Sequence, residues 1–202
     1  MARVAFYTFG ILHERGEHPK TQGFIDRTPG VFASAENADG FVDHANTHIE
    51  RHDHTWGDPR AHPRFFVEDQ HPGAPATMSL WDDLESVYAF AYYGRHAEAL
   101  GKRKEWFVNP EWPTYVAWWI EDDHIPTRED ASKRLEHLHD HGSTPHAFDF
   151  KTPFDYTGQP WRMDRKRIRE RAEAVRKFDK DNPTGLQLGR PQHHWMGLVY
   201  II

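Results

Sequence analysis

The chain contains no cysteine. Disulfides, thiolate-bound zinc and cysteine nucleophiles are excluded at once. Long apolar runs are missing too. The opening "MARVAFYTFGIL" has a short apolar stretch with no secretory cleavage pattern behind it, and no stretch approaches the roughly 20 residues a membrane helix needs. No GxGxxG, GxxxxGK or GxSxG is present. Nucleotide binding through standard glycine loops and serine-hydrolase chemistry are therefore not expected. Positive charge is in deficit, with a net charge of -6, which argues against nucleic acid as a general partner. The expectation is a soluble, cytoplasmic protein with no membrane or nucleic-acid partner.

Histidine and tryptophan are abundant, at 16 and 8 of 202 residues. Both types are common at ligand sites, so the composition leans toward a small-molecule pocket. The length suits one domain with an appendage.

Local patterns order the chain. "RVAFYTF" (3–9) reads as a first strand. A helix follows over 21–40, with Pro29 opening a second helical turn and Gly40 ending it. Short strands are expected at Phe41–His44, in "RFFVED" (64–69), at Ala76–Trp81, at Thr114–Ile120 and in "AFDF" (147–150). Residues 45–63 form a polar, histidine-rich loop. Asp82 with Glu85 reads as a capping box for one long helix over 84–107. Thr127 and Gly142 bracket another helix. This order predicts an α+β fold: a ferredoxin-like antiparallel sheet with helices on one face. Both faces of the strands are apolar, as in Val4 and Phe6 against Ala5 and Tyr7, or Val116 and Trp118 against Ala117 and Trp119. Two apolar faces need two covers. With helices over one face, a second copy of the sheet is the simplest cover for the other, which predicts a homodimer.

The segments "FYTFGIL", "GFIDRTPGVFASAE", "SLWDDLESVYAFAYYGRHAEAL", "KEWF", "PTYVAWW" and "RLEHLHDHG" resemble an uncharacterised bacterial domain-of-unknown-function family. That family is grouped with the dimeric α/β-barrel superfamily of antibiotic-biosynthesis monooxygenases and haem-degrading enzymes. The resemblance covers residues 3–155 and divides the chain into a dimeric α/β-barrel domain, 1–155, and a C-terminal extension with a basic helix, 156–202. It implies a pocket between helix and sheet. In haem-binding branches it also implies an axial histidine on the helix after the third strand.

His96 sits on that helix. On a 100° wheel it lies near Ala89, Tyr93 and Leu100, with Tyr92 and Arg103 close by. Three readings stay open: a hydrogen-bonded core histidine, an acid–base group, or a haem ligand. Arg103 is a candidate for an anionic substrate or a haem propionate, or else a surface ion pair. His96, Arg103 and Tyr92 are the candidate catalytic set. His96, Tyr93, Arg103, Trp118 and Trp119 are the candidate cofactor set, with His96 as iron ligand. Trp81, Trp106 and Trp112 serve equally as pocket wall or core.

His44, His48 and His52 recur at intervals of four and would bind a metal if helical, whereas His137 and His141 suit a helix C-terminus. The stretch 162–180 carries nine Lys or Arg against four Asp or Glu and is expected to dock on the acidic body. The closing "HHWMGLVYII" is too apolar for water and is expected to pack on its own domain or a partner. Function is expected to be monooxygenase-like oxidation, or related proton transfer, on a planar apolar substrate. The alternative is a non-catalytic protein that binds or senses such a ligand or haem.

Overall fold

The computed structural model describes residues 2–45 and 55–183. His48, His52 and the closing apolar segment lie outside the described residues. Four strands form one sheet: β1 (Ala2–Phe9), β2 (Phe41–His44), β3 (Ala76–Trp81) and β4 (Tyr115–Glu121). Their order is β2-β3-β1-β4, and all neighbours are antiparallel. This is the interleaved arrangement expected of a βαββαβ chain.

The first helix, α1 (Pro19–Glu36), starts at His18, whose Nδ1 accepts from the Lys20 N–H at 3.2 Å. It runs unbroken through Pro29, so Pro29 does not open a separate turn. The helix expected over 84–107 is three helices: α2 (Leu84–Tyr92), α3 (Gly94–Gly101) and α4 (Arg103–Trp106). Its N-cap is Asp83 rather than Asp82, with the carboxylate accepting from the Ser86 N–H at 2.8 Å. The break falls at Gly94, where φ is +62°, a backbone state that costs other residues about 1–2 kcal/mol. A carboxylate from outside completes the junction: the Arg95 N–H donates to Asp179 Oδ2 at 2.7 Å.

Helix α5 (Arg128–His141) keeps its expected signals. Thr127 Oγ1 accepts from the Asp130 N–H, and Gly142 closes the helix at φ +71°. Helix α6 (Arg165–Asp181) packs outside α2. Residues 64–69 make turns instead of a strand, and 147–150 contribute two isolated bridges, Ala117 to Phe148 and Thr144 to Ala147, instead of a last strand.

Both sheet faces are apolar, as expected, but the helices do not lie on one face only. Ala5, Tyr7, Met78, Leu80, Val116 and Trp118 pack against Ala131, Leu135 and Leu138 of α5. Val4, Phe6, Trp81 and Ala117 pack against Leu84, Val87 and Phe90 of α2 and Val175 of α6. The second cover, assigned above to a partner copy, comes from within the chain. Helix α5 follows the edge strand β4 and turns beneath the face that Val116 and Trp118 make apolar. The premise for a sheet-to-sheet homodimer, an uncovered apolar face, is thereby removed.

Candidate functional site

The amphipathic character of α6 builds the site. Ile168, Ala172 and Val175 recur at helical spacing and are buried. Two carboxylates fix the helix start. Glu85, only 2% exposed, accepts from the Asp164 N–H at 2.8 Å, and Asp164 in turn caps the Lys166 N–H at 2.7 Å. On one flank Asp83 clamps Arg167 at 2.9 Å and Arg171 at 2.8 Å. The other flank carries Arg165 and Arg169, four residues apart and therefore on one side of the helix.

Residues 151–163 lead into α6 through a turn organised by Asp155. Its Oδ1 accepts from the Thr157 hydroxyl at 2.7 Å and from the Thr157 and Gln159 N–H groups at 2.9 Å. The Thr157 hydroxyl first, then these N–H groups, hold the Asp155 carboxyl below its ordinary range. Trp119 Nε1 donates to the Phe154 carbonyl at 2.8 Å, and the Trp161 N–H donates to that of Pro153 at 2.8 Å. The turn thereby returns Trp161 to the side of α2.

Between these elements lies a cleft of about 630 Å³. Its apolar wall is Tyr88, Tyr93, Phe150 and Trp161. Tyr88 meets Phe150 edge-on at 5.3 Å, and the Tyr115 hydroxyl accepts from the Phe150 N–H at 3.2 Å, so the wall is braced from behind. Burial pushes the Tyr115 hydroxyl up, keeping it protonated. Trp161 is 42% exposed, an open surface for a ring. Lys151, Arg162, Arg165 and Arg169 line the same cleft, and no carboxylate lines it. Among the described residues none of these four cations forms an ion pair, whereas Lys166, Arg167, Arg171 and Lys177 do.

The residues singled out from sequence scatter around this cleft. Tyr93 lines it, with Arg176 Cζ 4.7 Å over its ring. Tyr92 lies beside it, packed on Tyr88 at 4.7 Å and Phe150 at 5.9 Å. Trp118 and Trp119 alternate on β4 and pack in opposite layers, so they cannot wall one pocket. Arg103 is exposed and donates to the Leu100 carbonyl of its own turn at 3.1 Å. His96 is half-buried in α3, against Phe90 at 4.8 Å, and is not among the cleft-lining residues. Its Nδ1–H donates to the Ala91 carbonyl at 2.8 Å, closing the last turn of α2. Burial holds its pKa below the ordinary value despite that bond, so the ring is neutral.

The haem donor set is not assembled. His96 has a tautomer suited to iron, but Trp118 and Trp119 face apart and Arg103 turns to its own helix. Elsewhere His44 Nε2 lies 3.2 Å from Glu36. His137 lies 4.5 Å from His141 and 5.0 Å from His146, ring to ring. Among the described residues no group of three His, Asp or Glu is arranged to hold a metal ion.

Sequence reasoning missed Phe150, Trp161, Lys151 and the arginine flank of α6. The signal was present: the Ile168, Ala172 and Val175 stripe divides Arg165 and Arg169 from Arg167 and Arg171. The partner of each flank was not readable without Asp83.

Sheet order and cleft define the class: an α+β domain with a four-stranded antiparallel sheet and helices packed on it. Within that class the chain belongs to the family described as Domain of unknown function (DUF3291), whose model matches residues 3–165. No curated protein and no solved structure matches the chain. No helix among the described residues is long and apolar enough to cross a membrane. The family match ends where α6 begins.

Proposed function

We propose that the protein binds an anionic small molecule with a planar ring in the cleft between α2, α6 and residues 150–163. One observation carries the reading: four unpaired cations share a cleft with four aromatic side chains and no carboxylate. All four cations are solvent-exposed, so water and salt screen their mutual repulsion, and an anion that reaches them gains charge-assisted hydrogen bonds. The rings supply a flat apolar wall. The volume lies within the range of small-molecule sites. The test is equilibrium dialysis of 1-naphthoate, 1-naphthalenesulfonate and 1-naphthyl phosphate against neutral 1-naphthol. The anions are expected to bind and to lose at least about tenfold affinity in Arg165→Ala/Arg169→Ala, since each tenfold is only about 1.4 kcal/mol. Naphthol binding as tightly as the anions, or an unaffected double variant, overturns the proposal.

A second reading keeps monooxygenase-like chemistry at His96. Its support is the fixed tautomer: with Nδ1–H engaged by Ala91, the neutral ring keeps the Nε2 lone pair for a proton. Oxidative turnover of a bound ring compound that is lost in His96→Asn while binding persists supports it. Full turnover in that variant removes His96 from the chemistry.

A further inference from the structure

The cations of the cleft carry the ligand's identity further. We infer that its ligand bears a phosphate chain, as a nucleoside diphosphate does; this rests on reading the cleft as the ligand site. Three of the four cations are arginines, and their side chains have no carboxylate partner among the described residues. Arginine presents five donors in a planar fork, matched to the oxygens of phosphate or carboxylate. One carboxylate offers a single charge and two oxygens, too little to satisfy three forks and an ammonium. A diphosphate brings two to three charges and six or seven acceptor oxygens to one place, which balances the set.

The geometry of α6 agrees. Arg165 and Arg169 project from one flank a helical turn apart, and Arg162 enters from the residues just before the helix. A chain of two phosphates spans such a ladder; a lone carboxylate meets one rung. Trp161, exposed at the cleft, suits the flat ring of a nucleobase. A cleft of about 630 Å³ has room for base, ribose and phosphates together. No glycine loop is needed, because the guanidinium groups do what backbone amides do in such loops. Of the four cations, Lys151, Arg162 and Arg165 lie within the family match and Arg169 lies just beyond it.

The test is titration calorimetry of the full chain at physiological salt with ADP, adenosine, pyrophosphate, benzene-1,3,5-tricarboxylate and a single-stranded hexanucleotide. ADP is expected to bind at least about tenfold more tightly than adenosine or the tricarboxylate, with pyrophosphate between. Arg165→Ala and Arg169→Ala are each expected to weaken ADP by about tenfold or more. Lys177→Ala, paired with Asp181 near the other end of α6, is expected to leave ADP binding within about twofold. The tricarboxylate binding as tightly as ADP overturns the phosphate assignment and leaves the anion cleft standing. A hexanucleotide that binds more tightly than ADP overturns the free nucleotide as ligand. If 1-naphthyl phosphate, ADP and the tricarboxylate all fail to bind, the cleft reading falls as well.

Discussion

The α5 side of the sheet and the α2–α6 side each bury an apolar cluster but are finished differently. On the α5 side, Trp118 is fully buried, and its indole N–H has no hydrogen-bond acceptor among the described residues. Arg134 Cζ lies over its ring, 5.1 Å from the centroid, and Arg134 is tied to Asp130 at 2.7 Å. Here the cation nearest the core ring is paired and covers it. On the α2–α6 side the apolar layer ends in exposed rings, and the nearest cations stand without carboxylates. On the proposed reading, the α5 face packs and the α2–α6 face takes an occupant.

Substitutions sharpen the contrast, and the largest effect belongs to the packed face. Trp118→Ala is expected to lower stability by about 3–5 kcal/mol, through lost burial and the cavity left behind. Urea titration measures it, and the molecules that still fold should bind a ring-bearing anion as before. Asp83→Ala comes next, at roughly 2–3 kcal/mol, because one carboxylate both caps α2 and clamps Arg167 and Arg171. Here the cleft should suffer too: with α6 loosened, anion affinity should fall even though Asp83 does not line it. Unchanged affinity would show that the clamp does not position the arginine flank.

His96→Ala is expected to cost about 1 kcal/mol, since it leaves the Ala91 carbonyl without its side-chain donor. Asn restores a donor at that position and should recover part of the loss. The smallest effect is a pH dependence with opposite signs at two histidines. Burial pulls His44 down, but Glu36, the Ala45 carbonyl and Asp43 outweigh it, and its pKa is raised above 6.5. Its contribution is complete below about pH 6.5 and disappears as pH rises through the raised value. His96, lowered by burial, contributes above about 6.5 and loses that contribution as pH falls toward its lowered value. Stability profiles of Glu36→Gln and His96→Asn should each lose one of these limbs. A profile that keeps both would contradict the assignments.

What was legible in the sequence followed from period and punctuation. β-branched and aromatic enrichment in "RVAFYTF" and "TYVAWWI" located β1 and β4, and Thr127 with Gly142 bounded α5. The apolar character of both strand faces was read correctly, but not what covers the second face. That depended on the direction α5 takes after β4, which no local pattern encodes. The break at Gly94 was hidden because residues 84–107 keep helix-forming composition throughout, and its stabilising partner, Asp179, is 84 residues from Arg95. For the same reason a wheel through the break placed His96 with neighbours it does not share. Tyr93 lines a cleft, but one beside α6 rather than between the expected long helix and the sheet. Trp118 and Trp119 were taken together, although adjacent strand residues face opposite ways.

The central claim is that a ring-bearing anion binds on the α2–α6 side and not under α5. Tryptophan indole N–H signals in a ¹⁵N-labelled sample report both places at once. Titration with 1-naphthyl phosphate is expected to shift the signal of Trp161 progressively to saturation and to leave those of Trp118 and Trp112 in place. Movement of Trp118 or Trp112 with Trp161 unchanged would contradict the account and put the ligand on the face that it describes as sealed.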